Sequence, residues 1–445
     1  MPKRIIIYVL ALLMLSCKVT HLTEKKVARQ LDPLVKSSPV FKAGFTGFYL
    51  ADALTGETLY NHFADKYFTP ASNTKILTLY TAFTIMGKSI PILAFASQGD
   101  TLWIRGAGGP TLFHPEFEDE NPVIAWLQSA IPGKTVFIDR NHMVDKRFGP
   151  GWSWGDFTYY YQTERSDLPL FGNAVRFQMN PGDSIPIVYP SIFTMSTSVS
   201  ADTGQRVTFY VEREETTNAF KAKFHPHLQD TIKRAVPIRW DSTMFSALFE
   251  WKTGIPLKTA SPGPQPMEWQ SIFALAPDSI YRKFMQESDN FIAEQLLLAS
   301  SFTLFDTLNS YKVIQYMKDS VLQDTPHPVY WFDGSGLSIY NKLTPRTVAY
   351  ILKKLYDDFG GSSVFYYFPA GGVSGTIKNL YAGDDGPYVF AKTGTLSGVH
   401  CLSGYLLTDQ GRTFIFSFMH NNFPGSALPT RREMEKVLRF IKHHY

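Results

Sequence analysis

Apolar and polar side chains alternate over residues 45–52, Leu54-Thr55-Gly56 supplies a turn, and 57–62 run back, a pattern that predicts a β-hairpin. Just downstream the period changes. Ile76, Leu77, Tyr80 and Phe83 recur at helical spacing, so a helix is expected to start near Ser72 and to end at Gly87. From about 92 to 240 the chain has short β-type runs, at 136–138, 175–178 and 207–211. Dense turn signals separate them, among them 106–110, 149–151, 181–182 and 203–204. Helical periodicity returns over 242–252, 268–274, 279–303, 309–322 and 345–358. Strands are expected at 388–392, 398–408 and 412–419, and a closing helix at 428–443. Residues 18–40 read as a polar lead-in with weak helical character, and no internal repeat is present.

These elements predict an α+β fold. The N-terminal hairpin can join the C-terminal strands in one antiparallel sheet flanked by helices. Residues 18–91 and 241–445 then form one domain, and 92–240 form a mainly β region inserted into it after the helix near Ser72.

The N-terminus has its own logic. Lys3 and Arg4 precede an apolar run over 5–15, followed by Ser16 and Cys17. That is the make-up of a secretory signal over residues 1–17, with an apolar core too short to span a bilayer. Cys17 stands where a bacterial lipoprotein signal places its lipidated cysteine. An ordinary cleaved signal with an incidental cysteine is the alternative. The expected location is the bacterial cell envelope or periplasm, with membrane attachment if Cys17 carries lipid.

Composition narrows the choice further. The chain has 445 residues, 44% of them hydrophobic, enough for two or three cores. A net charge of +4 without a block of like charges gives no footing for a nucleic-acid partner. Cys17 and Cys401 are the two cysteines, so lipidation of the first precludes an intramolecular disulfide, and a Cys-rich zinc site is excluded. His114 and His142 lack metal-ligand spacing, and no metal or cofactor is expected.

Three short patterns then occur in a fixed order. Ser72-Asn73-Thr74-Lys75 gives S-x-x-K, Ser288-Asp289-Asn290 gives S-D-N, and Lys392-Thr393-Gly394-Thr395 gives K-T-G-T. This ordered triple is the signature of penicillin-binding proteins and class A β-lactamases. Its chemistry can be stated from the residues. A serine hydroxyl needs a base to become a nucleophile. On a helix Lys75 shares a face with Ser72, and burial together with the charge of Lys392 would lower its pKa towards usefulness. Ser288 can pass a proton to the leaving amine, and the amide of Asn290 can hold substrate backbone. The strand carrying Lys392, Thr393, Gly394 and Thr395 can pair with an extended substrate. Backbone N–H groups near Thr395 and at Ser72 would form the oxyanion hole. The hydroxyls of Thr393 and Thr395 and the charge of Lys392 suit a terminal carboxylate. A second K-T-G, Lys252-Thr253-Gly254, precedes Ser288 and reads instead as the end of the 242–252 helix, with Gly254 as its cap.

With these residues the chain resembles the D-Ala-D-Ala carboxypeptidase/endopeptidase family, the low-molecular-mass class C penicillin-binding proteins. The likeness covers most of the mature chain. Thr69-Pro70-Ala71-Ser72-Asn73-Thr74-Lys75 is similar to the family's P-A-S-x-x-K segment. Residues 333–338 (Asp-Gly-Ser-Gly-Leu-Ser) resemble its D-G-S-G-L-S loop and 370–376 its A-G-V-x-G-T segment. Residues 149–154 (Gly-Pro-Gly-Trp-Ser-Trp) resemble a P-G-W-x-W stretch of the inserted domain. Class A β-lactamases have a far shorter gap between S-x-x-K and S-D-N. The resemblance implies a penicillin-binding transpeptidase-like fold and a serine acyl-enzyme mechanism on peptidoglycan stem peptides, with β-lactams as covalent inhibitors. Side-chain recognition departs from the pattern. Ala107-Gly108-Gly109-Pro110-Thr111-Leu112 lacks the family's acid, Ile339 replaces a usual Arg, and only Asp156 remains of two acids after the tryptophans. Asp156 could hold the ammonium of a diaminopimelate side chain, or be a solvated loop carboxylate. Asp333 reads as a turn-former and His400 as a strand residue. A β-lactamase or esterase on the same scaffold, and a lipoprotein that holds peptidoglycan without cutting it, are the competing functions.

Overall fold

The computed structural model describes residues 22–117, 122–204, 206–260 and 267–445; the expected signal segment, with Cys17, lies outside them. Its frame is a five-stranded antiparallel sheet. Across it stand Val389–Leu396, Val399–Leu407, Thr413–Asn421, Phe45–Asp52 and Thr58–His62 in that order. The N-terminal hairpin and the C-terminal strands thus meet, and Phe48 pairs with Phe418, their rings stacked at 4.3 Å.

Period-2 alternation sends side chains to both faces, and both are covered. Phe48, Leu50, Phe416 and Phe418 face an apolar layer shared with the helices Glu24–Lys36 and Leu428–His444. Each helix turns a stripe of roughly helical spacing to that layer, Val27, Leu31 and Val35 on one and Met434, Val437, Leu438 and Ile441 on the other. Tyr49, Ala51, Tyr405 and Ile415 face the opposite, larger core with the helices Lys75–Ile85, Asn290–Phe305 and Pro345–Asp358. Lys75–Ile85 is buried on every side, from Lys75 through Ala82, so its expected amphipathic stripe is absent.

Among the described residues, three small sheets lie between the Lys75–Ile85 and Pro277–Gln286 helices. The largest runs Lys258–Thr259, Thr135–Asp139, Thr101–Gly106, Pro91–Gln98 and Gln270–Phe273. Two of these strands come from beyond residue 240, so the sheet runs past the point where the sequence pattern closed the insertion. The expected helix over 268–274 is the strand Gln270–Phe273; four residues of Gln-Ser-Ile-Phe pair along Pro91–Gln98 rather than coil. The same apolar core continues from Ile76 and Leu297 to Ile104 and Phe177, welding these sheets to the helices.

The expected 279–303 helix is two helices, Pro277–Gln286 and Asn290–Phe305. Ser288 between them has φ +60°, and the Asp289 carboxylate caps the second by accepting from Ile292 N at 2.8 Å. The 309–322 prediction holds as Ser310–Tyr316 followed by a single π-turn, Met317–Val321. Gly254 (φ +71°) closes Ser242–Thr253, its N–H donating to Glu250 O at 2.7 Å, as a helix cap should.

Candidate active site

The first candidate motif sits on a tight turn rather than on a helix end. Ala71–Thr74 is a 3₁₀ turn leading into Lys75–Ile85, and Ala71 has φ +46°, a left-handed conformation that costs an alanine about 1–2 kcal/mol. Neighbours over-determine it. Thr74 Oγ1 donates to Ala71 O at 2.9 Å. Gly336 (φ +87°) lies so close that a Cβ there would stand 2.0 Å from the same carbonyl. Only glycine permits that approach.

The turn sets Ser72 Oγ 3.0 Å from Lys75 Nζ. Lys75 also donates to Asn290 Oδ1 at 2.5 Å and to Ser335 O at 2.7 Å, so two fixed acceptors aim the amine at the hydroxyl. Lys75 is fully buried, and that burial lowers its pKa from the ordinary lysine range to about 8. The carboxylates of Asp333, Asp289 and Glu294 act in the opposite sense. Lys392, expected to depress Lys75, is itself held well below the lysine range, first by burial and then by the charge of Lys75. Its Nζ donates to Ser288 Oγ and to Thr393 O, each at 2.8 Å. The strained φ of Ser288 therefore presents its hydroxyl to the second lysine.

The K-T-G-T segment lies on the outermost strand of the main sheet. Residues 369–371 cover the first half of that edge, with Gly371 N donating to Val389 O and Ala391 N to Pro369 O, each at 2.9 Å. That covering stops at Ala391, one residue before Lys392. Beyond it the strand leans on the Ser72 turn. A Cβ on Gly394 would stand 2.4 Å from Pro70 O and 3.0 Å from Ser72 N. The buried amide of Asn73 donates to Lys392 O at 2.7 Å and accepts from Ser403 Oγ at 2.8 Å. Thr393 and Thr376 share a hydroxyl hydrogen bond of 2.7 Å.

Ser72, Ser288, Asn290, Thr393, Thr395 and Asp156 all line one cleft of about 1290 Å³, with Lys75 and Lys392 buried beneath it. Residues from the 92–240 region form part of its wall. Tyr161 O accepts from Asn290 Nδ2 at 2.8 Å, which orients the amide. The Asp156 carboxylate hydrogen-bonds the Tyr161 hydroxyl and raises its pKa, after burial, to about 12. Ile339, which replaces the family's usual Arg, is exposed at the cleft. Asp333 organises the 333–341 loop, accepting from Gly336 N at 3.0 Å, Ser338 N at 2.6 Å and Asn341 Nδ2 at 2.7 Å. Trp152 Nε1 donates to it as well, at 2.9 Å.

A sequence profile of the D-Ala-D-Ala carboxypeptidase 3 (S13) family matches residues 27–223 and 249–440, most of the chain. The chain belongs to the S13 family. Membership makes it a DD-peptidase with the penicillin-binding fold. Among its relatives, penicillin-sensitive carboxypeptidase A of Dictyostelium discoideum is 23% identical over 412 residues, 80% of this chain and 78% of that protein. The D-alanyl-D-alanine carboxypeptidase of Actinomadura sp. (strain R39) is 24% identical over 436 residues, 88% of this chain and 80% of that one. The crystal structure of penicillin binding protein 4 from Haemophilus influenzae shares the fold, with a TM-score of 0.72 and 20% identity; the match covers 92% of this chain and 98% of that one.

The sequence motifs missed several neighbours of the candidate site. Asn73 is an unassigned position inside S-x-x-K, although its buried amide ties the turn to the strand through Lys392 O and Ser403 Oγ. The carbonyl of Ser335 and that of Tyr161 carry no signal in side-chain identity. Arg431, from the first turns of the Leu428–His444 helix, reaches the cleft and donates to Thr395 Oγ1 at 3.3 Å. It is isolated in sequence from every motif.

Proposed function

We propose that this is an exported serine DD-peptidase that cuts the D-alanyl-D-alanine bond of peptidoglycan stem peptides through an acyl-enzyme. One observation carries the reading. Ser72 Oγ lies 3.0 Å from the Nζ of buried Lys75, whose pKa is lowered to about 8, and Ser288 Oγ lies 2.8 Å from Lys392 Nζ, in one cleft. Neutral Lys75 takes the Ser72 proton as Oγ attacks the carbonyl carbon of the penultimate D-alanine. The N–H groups of Ser72 and Thr395 receive the developing oxyanion. Ser288, held by Lys392, relays to the departing amine the proton that Lys75 took, and the terminal D-alanine leaves. Water then gives a proton to the freed Lys75 as it attacks the Ser72 ester, and Lys75 returns that proton to Ser72 Oγ as the ester breaks. The uncovered edge at Lys392–Leu396 takes the substrate as an added strand, and the amide of Asn290 binds its backbone. Gly394 lets the strand lie against the Ser72 turn, while the hydroxyls of Thr393 and Thr395, with Lys392 buried behind them, suit the terminal carboxylate.

Residues 92–240, with the two later strands that complete their sheet, act as an inserted domain walling the cleft. Asp156 there, lining the cleft, is our candidate partner for an ammonium on the stem peptide. Endopeptidase action on D-alanyl cross-links is the same chemistry with a longer leaving group. Acylation of Ser72 by β-lactams follows from the same attack; the Haemophilus influenzae protein has been solved complexed with a novel β-lactam. A signal over 1–17 delivers the chain to the envelope, with Cys17 as the lipid-bearing residue. Ser72→Ala tests the reading: it should abolish both D-alanine release and labelling by a fluorescent penicillin. Labelling of the same peptide in the variant would refute it.

A further inference from the structure

The cleft is not confined to the three motifs. His114, Gly172, Arg176 and Lys283 line it as well, beside Glu287, the residue before Ser288. Charge is unevenly paired there. Lys283 holds the carboxylates of both Glu116 and Glu287, the second at 2.7 Å. Arg176, on the strand Ala174–Met179, forms no ion pair among the described residues; Nη1 donates to Phe171 O at 2.6 Å, and Nη2 faces His114 Nε2 at 3.4 Å. Burial works against its charge, and Glu116 and Asp289 support that charge only from beyond contact distance.

His114 sharpens the imbalance. It is buried, and its ring is neutral, held so first by burial and then by the charges of Arg176 and Lys283. A neutral imidazole carries one N–H, yet both of its nitrogens face donors. Glu116 N lies 3.3 Å from Nδ1, and Arg176 Nη2 lies 3.4 Å from Nε2. The chain fixes the Glu116 N–H two residues along the same turn, which assigns Nδ1 as acceptor and puts the proton on Nε2. The Nε2–H and the guanidinium N–H then face each other with no acceptor between them among the described residues. An oxygen bearing negative charge would answer both.

The backbone is bent to hold this pair. Phe171, Gly172 and Asn173 take successive positive φ values of +57°, +67° and +50°. That run is disfavoured for a phenylalanine above all, and strain of this kind persists where the surroundings fix it. Asn173 secures it, with Nδ2 donating to Glu164 O at 2.9 Å and to Ser166 Oγ at 2.8 Å. A Cβ on Gly172 would stand 2.7 Å from His114 Cδ2 and 3.3 Å from Arg176 Nη2, so the bare glycine lets the two donors sit side by side at the cleft.

We propose that Arg176 and His114 form a second anion subsite, which binds a carboxylate of the peptidoglycan peptide outside its terminal D-alanines. The inference rests on the DD-peptidase reading and adds to it a group that reads the rest of the substrate. The carboxylate that fits is that of an isoglutamate residue. It can belong to the stem being cut or to the second stem that departs when a cross-link is cut. Either presents two oxygens to the fork of a guanidinium, whereas the amide of isoglutamine offers neither the charge nor the second acceptor.

The test measures kcat/KM on two matched pairs. The first is a pentapeptide stem ending in D-Ala-D-Ala, with isoglutamate or with isoglutamine. The second is a cross-linked dimer whose departing stem carries isoglutamate or isoglutamine, the stem being cut carrying isoglutamine in both. Members of a pair differ in one charged group, so general damage to the fold cancels in their ratio. In one pair the wild type should prefer the acid by about ten- to hundredfold, the worth of a charge-assisted hydrogen bond. Arg176→Ala should bring that ratio close to one, and Arg176→Lys, with charge but no fork, should fall between. If Arg176→Ala does not fold, Arg176→Gln reads the same ratio. A response in the first pair assigns the carboxylate to the stem being cut, and a response in the second assigns it to the departing stem. Wild-type ratios near one in both pairs, or ratios that the variants leave unchanged, overturn the inference and leave the DD-peptidase reading standing. A wild type that cuts none of the four substrates overturns both.

Discussion

The side-chain amide of Asn73 donates to the backbone carbonyl of Lys392 across 2.7 Å, in a place sealed from water. One residue beyond the proposed nucleophile, it clasps the Ser72 turn to the K-T-G-T strand, and Ser403 Oγ fixes its oxygen at 2.8 Å. Ser403 keeps a second partner in Ser417 at 2.9 Å, and Lys392 stays paired with Ser403 across the sheet, so Asn73→Ala removes a buried hydrogen bond without orphaning either partner. Losing that bond should cost about 0.5–1.5 kcal/mol, read from urea unfolding. The acylation rate constant with a fluorescent penicillin should fall as well, because the two halves of the cleft lose their register.

Gly394→Ala isolates the same contact by crowding it. Gly394 has no left-handed backbone to protect, so the objection to alanine is space alone: the new Cβ would stand 2.4 Å from Pro70 O. That atom is backbone and cannot swing aside, so the strand must move away from Ser72. Misplacement on the scale of an ångström should slow acylation by about a hundredfold. An unchanged rate constant would show that the strand does not press on the turn.

The three motifs were legible because each is a local string whose residue types announce chemistry, and the hairpin and C-terminal strands because their period is 2. What escaped the sequence is what depends on tertiary context. The break at Ser288 hides inside a helical pattern, since a serine at φ +60° leaves no mark in composition. The Gln270–Phe273 strand is legible only to its partner at Pro91–Gln98. Lys75 was expected to owe its low pKa partly to Lys392. Burial, with three carboxylates opposing it, governs Lys75, and the repulsion is felt at Lys392. Such balances belong to the packed site and to no segment of it.

The pH dependence of acylation follows from Lys75. Its conjugate acid cannot accept the Ser72 proton, and its pKa is lowered by burial to about 8. The active fraction therefore rises with pH through that value. The second-order rate constant for penicillin labelling should drop by roughly tenfold per pH unit well below it and level off above. A profile already flat between pH 6 and 8 would exclude Lys75 as the base.

Glu294 offers a separate lever, on stability. It is fully buried beneath the site, where Oε1 accepts from Ser335 N at 2.7 Å. Arg165 stands 3.6 Å from Oε2 but is shared with Asp145 at 2.8 Å. Burial first, and the charge of Asp333 second, raise its pKa from 4.5 to about 7. The folded protein thus binds this proton more tightly than the unfolded chain does. The resulting stabilisation is full below about pH 4.5 and is lost as pH rises to about 7, on the order of 2–3 kcal/mol. Other buried groups titrate too, including His420, whose pKa is lowered by burial to about 4 and whose contribution runs the other way. The difference between wild type and Glu294→Gln isolates the Glu294 share. Glutamine keeps the acceptor for Ser335 N but cannot ionise, so the variant should gain on the wild type in urea unfolding as pH rises from 5 to 8. It also removes a carboxylate that favours the charged form of Lys75. The midpoint of the acylation profile should therefore move to lower pH in the same variant, and a midpoint that moves upward would break the link between Glu294 and Lys75.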